Sequence, residues 1–166
     1  MRLEDGDIAL RPLGPDDVPA LVEACRDPEI PRRTSVPVGL TEAQAREFVA
    51  GAGDVYAIVD ADTDELLGTI GFHVLEDSRG NFGYWVRREA RGRGVATRAL
   101  VLLTRWVARE RALGRLQLIV EPDNLASIRV AERAGFRREG RLRSYIELKG
   151  ARRDVYMYSL LPEDLR

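Results

Sequence analysis

Two glycines a residue apart, Gly92 and Gly94, stand between an extended run ending at Val86 and the longest amphipathic pattern in the chain, about Val95 to Leu113. In that pattern Val95, Ala99, Leu102, Leu103, Trp106 and Val107 recur at three- and four-residue steps while Arg98, Arg105 and Arg109 fall elsewhere, which predicts a helix with one buried stripe. Gly114 is read as its stop. The continuous apolar run Leu116 to Val120 then suits a strand buried on both faces. Strand, turn, helix and strand in that order imply a helix-connected strand pair in the middle of a sheet.

The flanking segments supply antiparallel partners. Ile8 to Leu13 alternates and ends at Gly14-Pro15, so it reads as a first strand, followed by a helix from near Asp16 that holds Cys25 on its buried face. Thr41 with Gln44 forms a capping box, predicting a helix over about Thr41 to Ala50 after an irregular loop containing Pro31 and Pro37. Val55 to Val59 and Leu66 to Val74 are β-rich runs separated by Asp60, Asp62 and Asp64, a hairpin, and a third strand is expected at about Phe82 to Val86. Pro122-Asp123-Asn124 starts a helix reaching Ala134 before Gly135. Two closing strands, from about Arg137 and from about Arg153 to Leu160, join through Leu148-Lys149-Gly150-Ala151. The expected fold is α/β, one domain over residues 1–166, with a mixed, mostly antiparallel central sheet, helices on both faces and a parallel pair at the centre.

Composition narrows the function classes. At 166 residues, 45% hydrophobic and 32% charged, the chain has material for one core. A formal net charge of -1 provides no long-range attraction to nucleic acid or anionic membrane, so neither is an expected partner. One cysteine, Cys25, permits no internal disulfide and no cysteine-based metal cluster, and no metal site is expected. The acidic N-terminus and the lack of a long apolar run suggest a cytoplasmic location.

A glycine turn that opens a long helix presents unpaired N–H groups and the positive end of the helix dipole to an anion, with Arg91 and Arg93 able to add charge-assisted bonds. A nucleoside-triphosphate loop would need a Gly-Lys-Ser/Thr ending, yet the only lysine is Lys149. A dinucleotide fingerprint would need a third glycine where Thr97 stands. A plain helix start with solvated arginines stays open on these residues alone.

The wider pattern is more specific. Tyr84-Trp85-Val86 through Arg91-Gly92-Arg93-Gly94-Val95-Ala96, then Asn124, Ser127, Glu132 and Gly135-Phe136, resembles the GCN5-related N-acetyltransferase (GNAT) superfamily. The turn fits that family's Arg/Gln-x-x-Gly-x-Gly/Ala signature with Ala96 last. Within the superfamily, Gly83-Tyr84-Trp85 and the Asp154 to Leu160 run resemble enzymes that acetylate ribosomal-protein N-termini.

The resemblance implies acetyl-CoA as co-substrate, bound where the parallel strands splay apart, between Phe82 to Val86 and Leu116 to Val120. Its pyrophosphate would sit on Arg91, Gly92, Arg93, Gly94, Val95 and Ala96, with a hydroxyl from Thr97. N–H groups near Trp85 and Val86 would hold the thioester carbonyl while a primary amine attacks directly. Asn124 matches a residue that bonds the pantetheine arm, and equally suits a helix N-cap. Many relatives place a proton-donating Tyr seven residues after this Asn; here that position is Ala131, so Ser127 is the candidate acid and Tyr145 the reserve. No general base stands out: Asn81 occupies a position where related chains carry Glu, His73 is the only histidine, and Glu132 and Asp154 suit structural contacts. The acceptor would be a peptide N-terminus or a small amine, and a homodimer is an allowed assembly. A non-catalytic acyl-CoA-binding or sensing domain is the alternative reading.

Overall fold

A computed structural model describes residues 1–165. The chain opens with β1 (Leu3–Asp5), which pairs antiparallel with β2 (Ile8–Pro12). A single 3-10 turn at Pro15–Asp17 leads into α1 (Val18–Ala24), then α2 (Glu29–Arg33) and α3 (Glu42–Ala50). Next come β3 (Val55–Asp60), β4 (Leu66–Leu75) and β5 (Arg79–Val86). Helix α4 (Val95–Glu110) leads to β6 (Arg115–Val120), and α5 (Leu125–Arg133) to β7 (Arg137–Leu148) and β8 (Ala151–Leu160).

The eight strands form one sheet in the order β1-β2-β3-β4-β5-β6-β8-β7. Its parallel pair is β5 with β6, in register from Arg79 opposite Arg115 to Asn81 opposite Gln117. This is the expected mixed α/β sheet with antiparallel pairing elsewhere. By their contacts the residues group into two compact units, Met1–Gly71 with Tyr84–Ala99, and Phe72–Gly83 with the chain from Leu100 onward. No described helix is long and apolar enough to cross a membrane.

Four elements differ from the sequence expectation, each for a physical reason. β1 is only three residues long and carries no periodicity to read. α2 occupies what reads as a loop because Pro31 lies in its first turn, where a missing N–H costs no helical hydrogen bond. β5 starts at Arg79 rather than Phe82, because its polar first residues are those that pair with β6. α4 ends at Glu110, not Leu113: the Leu113 N–H donates to the Arg111 carbonyl and Gly114 N–H to Ser78. Leu113 is buried by packing against Gly80 rather than by helical phase.

In the first unit Ala9, Leu21, Ala57, Val59 and Leu66 form one apolar cluster, and Ala24, Cys25 and Ile30 another. The Trp85 side chain packs against both. Cys25 follows the end of α1, buried as expected, and burial pushes its thiol up to about 11, so it is a poor nucleophile.

In the second unit Phe82 stacks on Phe72 at 5.6 Å and meets Phe136 edge-on at 6.5 Å. Glu139, bulged out of the β7 ladder, accepts from both terminal nitrogens of Arg115 at 2.9 and 2.6 Å and from the Ser159 hydroxyl at 2.7 Å. The Arg115 bonds, then the Ser159 bond, pull its carboxyl from 4.5 to about 2. A lowered folded-state value stabilises the protein above pH 4.5, and that contribution is lost as pH falls towards 2. Because the side chain is 45% exposed, Glu139→Gln is expected to cost only about 1 kcal/mol at neutral pH. Thermal melts of both proteins from pH 7 to pH 2 should show the gap closing below pH 4.5; a constant gap would refute the assignment.

Candidate active site

Gly92 and Gly94 have φ of +76 and +75, a left-handed conformation that side-chain-bearing residues rarely adopt. A Cβ at either position would meet nothing within 4 Å, so the turn is open on the side its glycines leave bare. The helical hydrogen bonding of α4 begins with Arg98 N–H donating to the Gly94 carbonyl at 3.0 Å. The N–H groups of Val95, Ala96 and Thr97 precede it and point out of the helix end. Sixteen aligned peptide units stand behind them. Val95 is buried and anchors the helix, whereas Arg91 to Gly94 are exposed.

The arginines of the turn are already engaged. Arg91 donates through Nε to the Val86 carbonyl at 3.0 Å and forms a 2.6 Å ion pair with Asp27. Arg88 reaches the other oxygen of Asp27 at 3.3 Å, beside the Glu29 N–H at 3.2 Å. Against the penalty of burial, the Glu29 N–H and the charge of Arg91 hold the Asp27 carboxyl below its usual range. Arg91 therefore braces the turn against the end of β5. Arg93, half exposed, lies 3.7 Å from Asp7, which is also bonded by Arg98 at 2.5 Å. Asp27 gave no sequence signal, since its partner Arg88 lies 61 positions away.

The second unit holds the other candidates. Asn124 is the N-cap of α5, its Oδ1 accepting the Ser127 N–H at 3.2 Å, so the helix-cap reading of Asn124 holds. Ser127 is half-buried one turn into that helix. Ala131 is fully buried, leaving no acid at the position where many relatives place Tyr. Tyr145 stands on β7, 48% exposed, and makes no hydrogen bond or ring contact among the described residues. His73 is exposed on β4, and Asn81 is part of the parallel ladder. Glu132 accepts from the Tyr158 hydroxyl at 3.3 Å, and Asp154 binds Arg141 and the Ser144 N–H. Those two contacts are structural, as expected. Glu121, just past β6, pairs with Arg153 at 2.9 Å, a carboxylate that the sequence pattern did not single out. Among the described residues no three metal-ligating side chains cluster.

Chemically, the first unit offers an anion a row of backbone N–H groups with room for close approach. The second offers one hydroxyl on a capped helix and carboxylates tied to arginines or, for Glu132, to a tyrosine.

The acetyltransferase (GNAT) domain family model matches residues 7–137 of the chain. An uncharacterized N-acetyltransferase of Bacillus licheniformis, p20, is 31% identical over 167 aligned positions, 95% of this chain and 94% of its own. The ribosomal-protein-serine acetyltransferase of Escherichia coli K12 is 35% identical over 98 positions, 58% of this chain and 55% of its own. Among solved structures, an acetyltransferase of the GNAT family from Bacillus anthracis superposes with a TM-score of 0.90 at 25% identity, covering 98% of this chain and 99% of that one.

Proposed function

Because the chain belongs to the GNAT acetyltransferase family and is an acetyl-CoA-dependent N-acetyltransferase, we propose that residues 1–166 act as one catalytic domain moving the acetyl group to a primary amine by direct attack. The favoured acceptor is a peptide N-terminus of the ribosomal-protein type, by likeness to the Escherichia coli enzyme. Small amines are the alternative acceptor class.

The observation that carries the proposal is the pair of left-handed glycines opening α4. Open space at both Cβ positions fits a pyrophosphate lying against backbone, with Gly92 to Ala96 supplying N–H donors and Thr97 a hydroxyl. Asp27 pairs with Arg91, which holds the turn in shape while main chain, helix dipole and the Thr97 hydroxyl meet the phosphates. Trp85 and Val86 would turn N–H groups to the thioester carbonyl oxygen, where negative charge develops as the amine attacks. The indole of Trp85, seated against two apolar clusters, supports that stretch of backbone.

Acetyl-CoA supplies an activated acyl group and a thiolate leaving group. The protein must protonate that thiolate. Ser127 is proposed for this, held by the Asn124 cap, with Tyr145 as the reserve acid.

An acetyl-CoA turnover assay against small amines and ribosomal-protein N-terminal peptides tests the reaction, read as thiol release. Tight CoA binding without thiol release from any acceptor would overturn it. Ser127→Ala is expected to lower kcat by about 100-fold with CoA affinity unchanged. Calorimetric CoA titration beside the turnover assay separates the two parameters; wild-type kcat would move the acid elsewhere.

A further inference from the structure

β7 and β8 form the outer hairpin of the sheet, with β7 at its edge. Lys149 and Gly150 close it with φ of +51 and +76, a two-residue turn of the kind that suits twisted strands. Between Leu142, opposite Val155, and Ile146, opposite Arg153, β7 carries three residues against the single Asp154 of β8. This bulge is built, not slack. Ser144 has φ of +52, its N–H donates to Asp154 at 2.8 Å, and Arg152 donates to its carbonyl at 2.6 Å. Arg141 takes the other Asp154 oxygen through Nε and Nη2 at 3.0 and 2.7 Å.

Asp154 is thus consumed by the hairpin, and positive charge is left over. The Arg138 guanidinium lies 4.7 Å from the centre of the Tyr156 ring. Arg143 stands exposed in the bulge, and among the described residues Arg152 is bonded only to the oxygens of Ser144. None of these three forms an ion pair among the described residues, although Glu147 stands opposite Arg152 across the ladder and the charge of Arg143 acts on Asp154. Protection of an open edge accounts for charges on β7. It does not account for Tyr156, where β8 is paired on both sides, with Val120 and Arg141, whereas at Arg152 β8 pairs with β7 alone.

The position of this strip matters. Across the sheet Val120, Tyr156 and Arg141 lie side by side, so the strip begins two strand spacings, about 10 Å, from the end of β6. Asn124 and Ser127 follow directly from that end. Along β8 it runs from Tyr156 to Arg152, about 13 Å of strand, the length of a short extended peptide. With only a few free guanidiniums, and a chain of net charge -1, it suits a short acidic segment better than a nucleic-acid backbone.

We infer that the Arg138-Arg143-Arg152 face of the β7–β8 hairpin docks an acidic segment of a polypeptide acceptor whose terminal amine is acetylated. The inference rests on the reading above that the acceptor is a peptide N-terminus. An extended chain advancing about 3.3 Å per residue places its acidic residues roughly three to six positions after the amine.

The test uses peptides alike at their first two residues and differing only at positions four to six, with Asp/Glu, Ser or Lys there. With the intact protein, KM for the acidic peptide should be about tenfold below that for the Lys peptide at low salt, and the gap should shrink at about 0.5 M salt. In R138E/R143E/R152E the preference should vanish or reverse, with kcat for the Ser peptide unchanged. The neutral R138Q/R143Q/R152Q variant keeps the test intact should charge reversal impair folding. Equal KM values in the wild-type protein, or a preference that survives the substitutions, would overturn the inference. So would a single-stranded RNA oligonucleotide that binds the strip in place of the fluorescent acidic peptide. If no amine is acetylated, the function reading fails instead, and anisotropy of that labelled peptide still reports on the strip.

Discussion

Gly94→Val is expected to weaken acetyl-CoA binding about 100-fold, close to 3 kcal/mol, while leaving a folded protein. Gly94 has φ of +75, and a β-branched residue there is an outlier, costing on the order of 1–2 kcal/mol in the backbone. That cost falls on the free protein and lowers Tm by several degrees. It does not by itself remove the ligand. The affinity loss comes from the side chain, which would project into space that nothing in the protein fills within 4 Å and that close approach of a phosphate requires. Gly39→Val separates the two effects, because Gly39 also has positive φ (+67) and open surroundings but lies in the loop before α3. It should share the loss in Tm and keep native affinity. Calorimetric titration of acetyl-CoA into both variants decides the matter. Undiminished affinity in Gly94→Val would show that the pyrophosphate binds elsewhere.

The turn was legible in the sequence because everything that defines it is local. A left-handed glycine, the first turn of a helix and the strand before it fall within a dozen residues, and each has its own residue preference. The same holds for Thr41 with Gln44, which do form the reciprocal cap of α3, and for the Lys149-Gly150 turn. Strands β3, β4 and β6 were read within a residue or two, since alternation or an unbroken apolar run marks a buried face. What failed was anything set by distant partners. Leu113 continued the apolar rhythm of α4 because Gly80 needed filling, so the helix seemed three residues longer than it is.

The site divides in the same way. Asn124 and Ser127 are three residues apart, and their capping bond could be anticipated from that spacing. Arg91 looked like a phosphate ligand because its sequence neighbours are glycines. Its guanidinium also meets Asp27, beyond α1, and no local pattern announces such a pair. Glu121 with Arg153 belongs to the same class of contact, made by chain ends that meet only once β6 and β8 pair.

Gly68→Ala is expected to have the largest effect of any single methyl group added to this protein. A Cβ at Gly68 would overlap the Trp85 carbonyl oxygen and sit 2.9 Å from the Val86 Cα and 3.2 Å from the Trp85 carbonyl carbon. All three neighbours are backbone, so no side chain can swing aside. Either β4 and β5 part, breaking the 2.8 Å bond from Arg87 N–H to the Leu67 carbonyl, or Trp85 leaves the clusters that seat its indole. Overpacking of this kind costs about 3 kcal/mol or more. The displaced peptides are those of Trp85 and Val86, proposed to face the thioester carbonyl, and losing such a donor lowers kcat by about 100-fold or more. Gly71→Ala supplies the comparison, since its Cβ would press on the Asp54 carbonyl and Val55 at 2.9 Å, well along β4 from Trp85. Urea denaturation should rank both variants as strongly destabilised. Below the unfolding transition, only Gly68→Ala should have lost kcat per folded molecule, because only there does the strain fall on the peptides that must meet the developing charge. A Gly68→Ala protein with native stability and turnover would remove the reason for a glycine at that point in β4, and with it the support for Trp85 and Val86 as the stabilising donors.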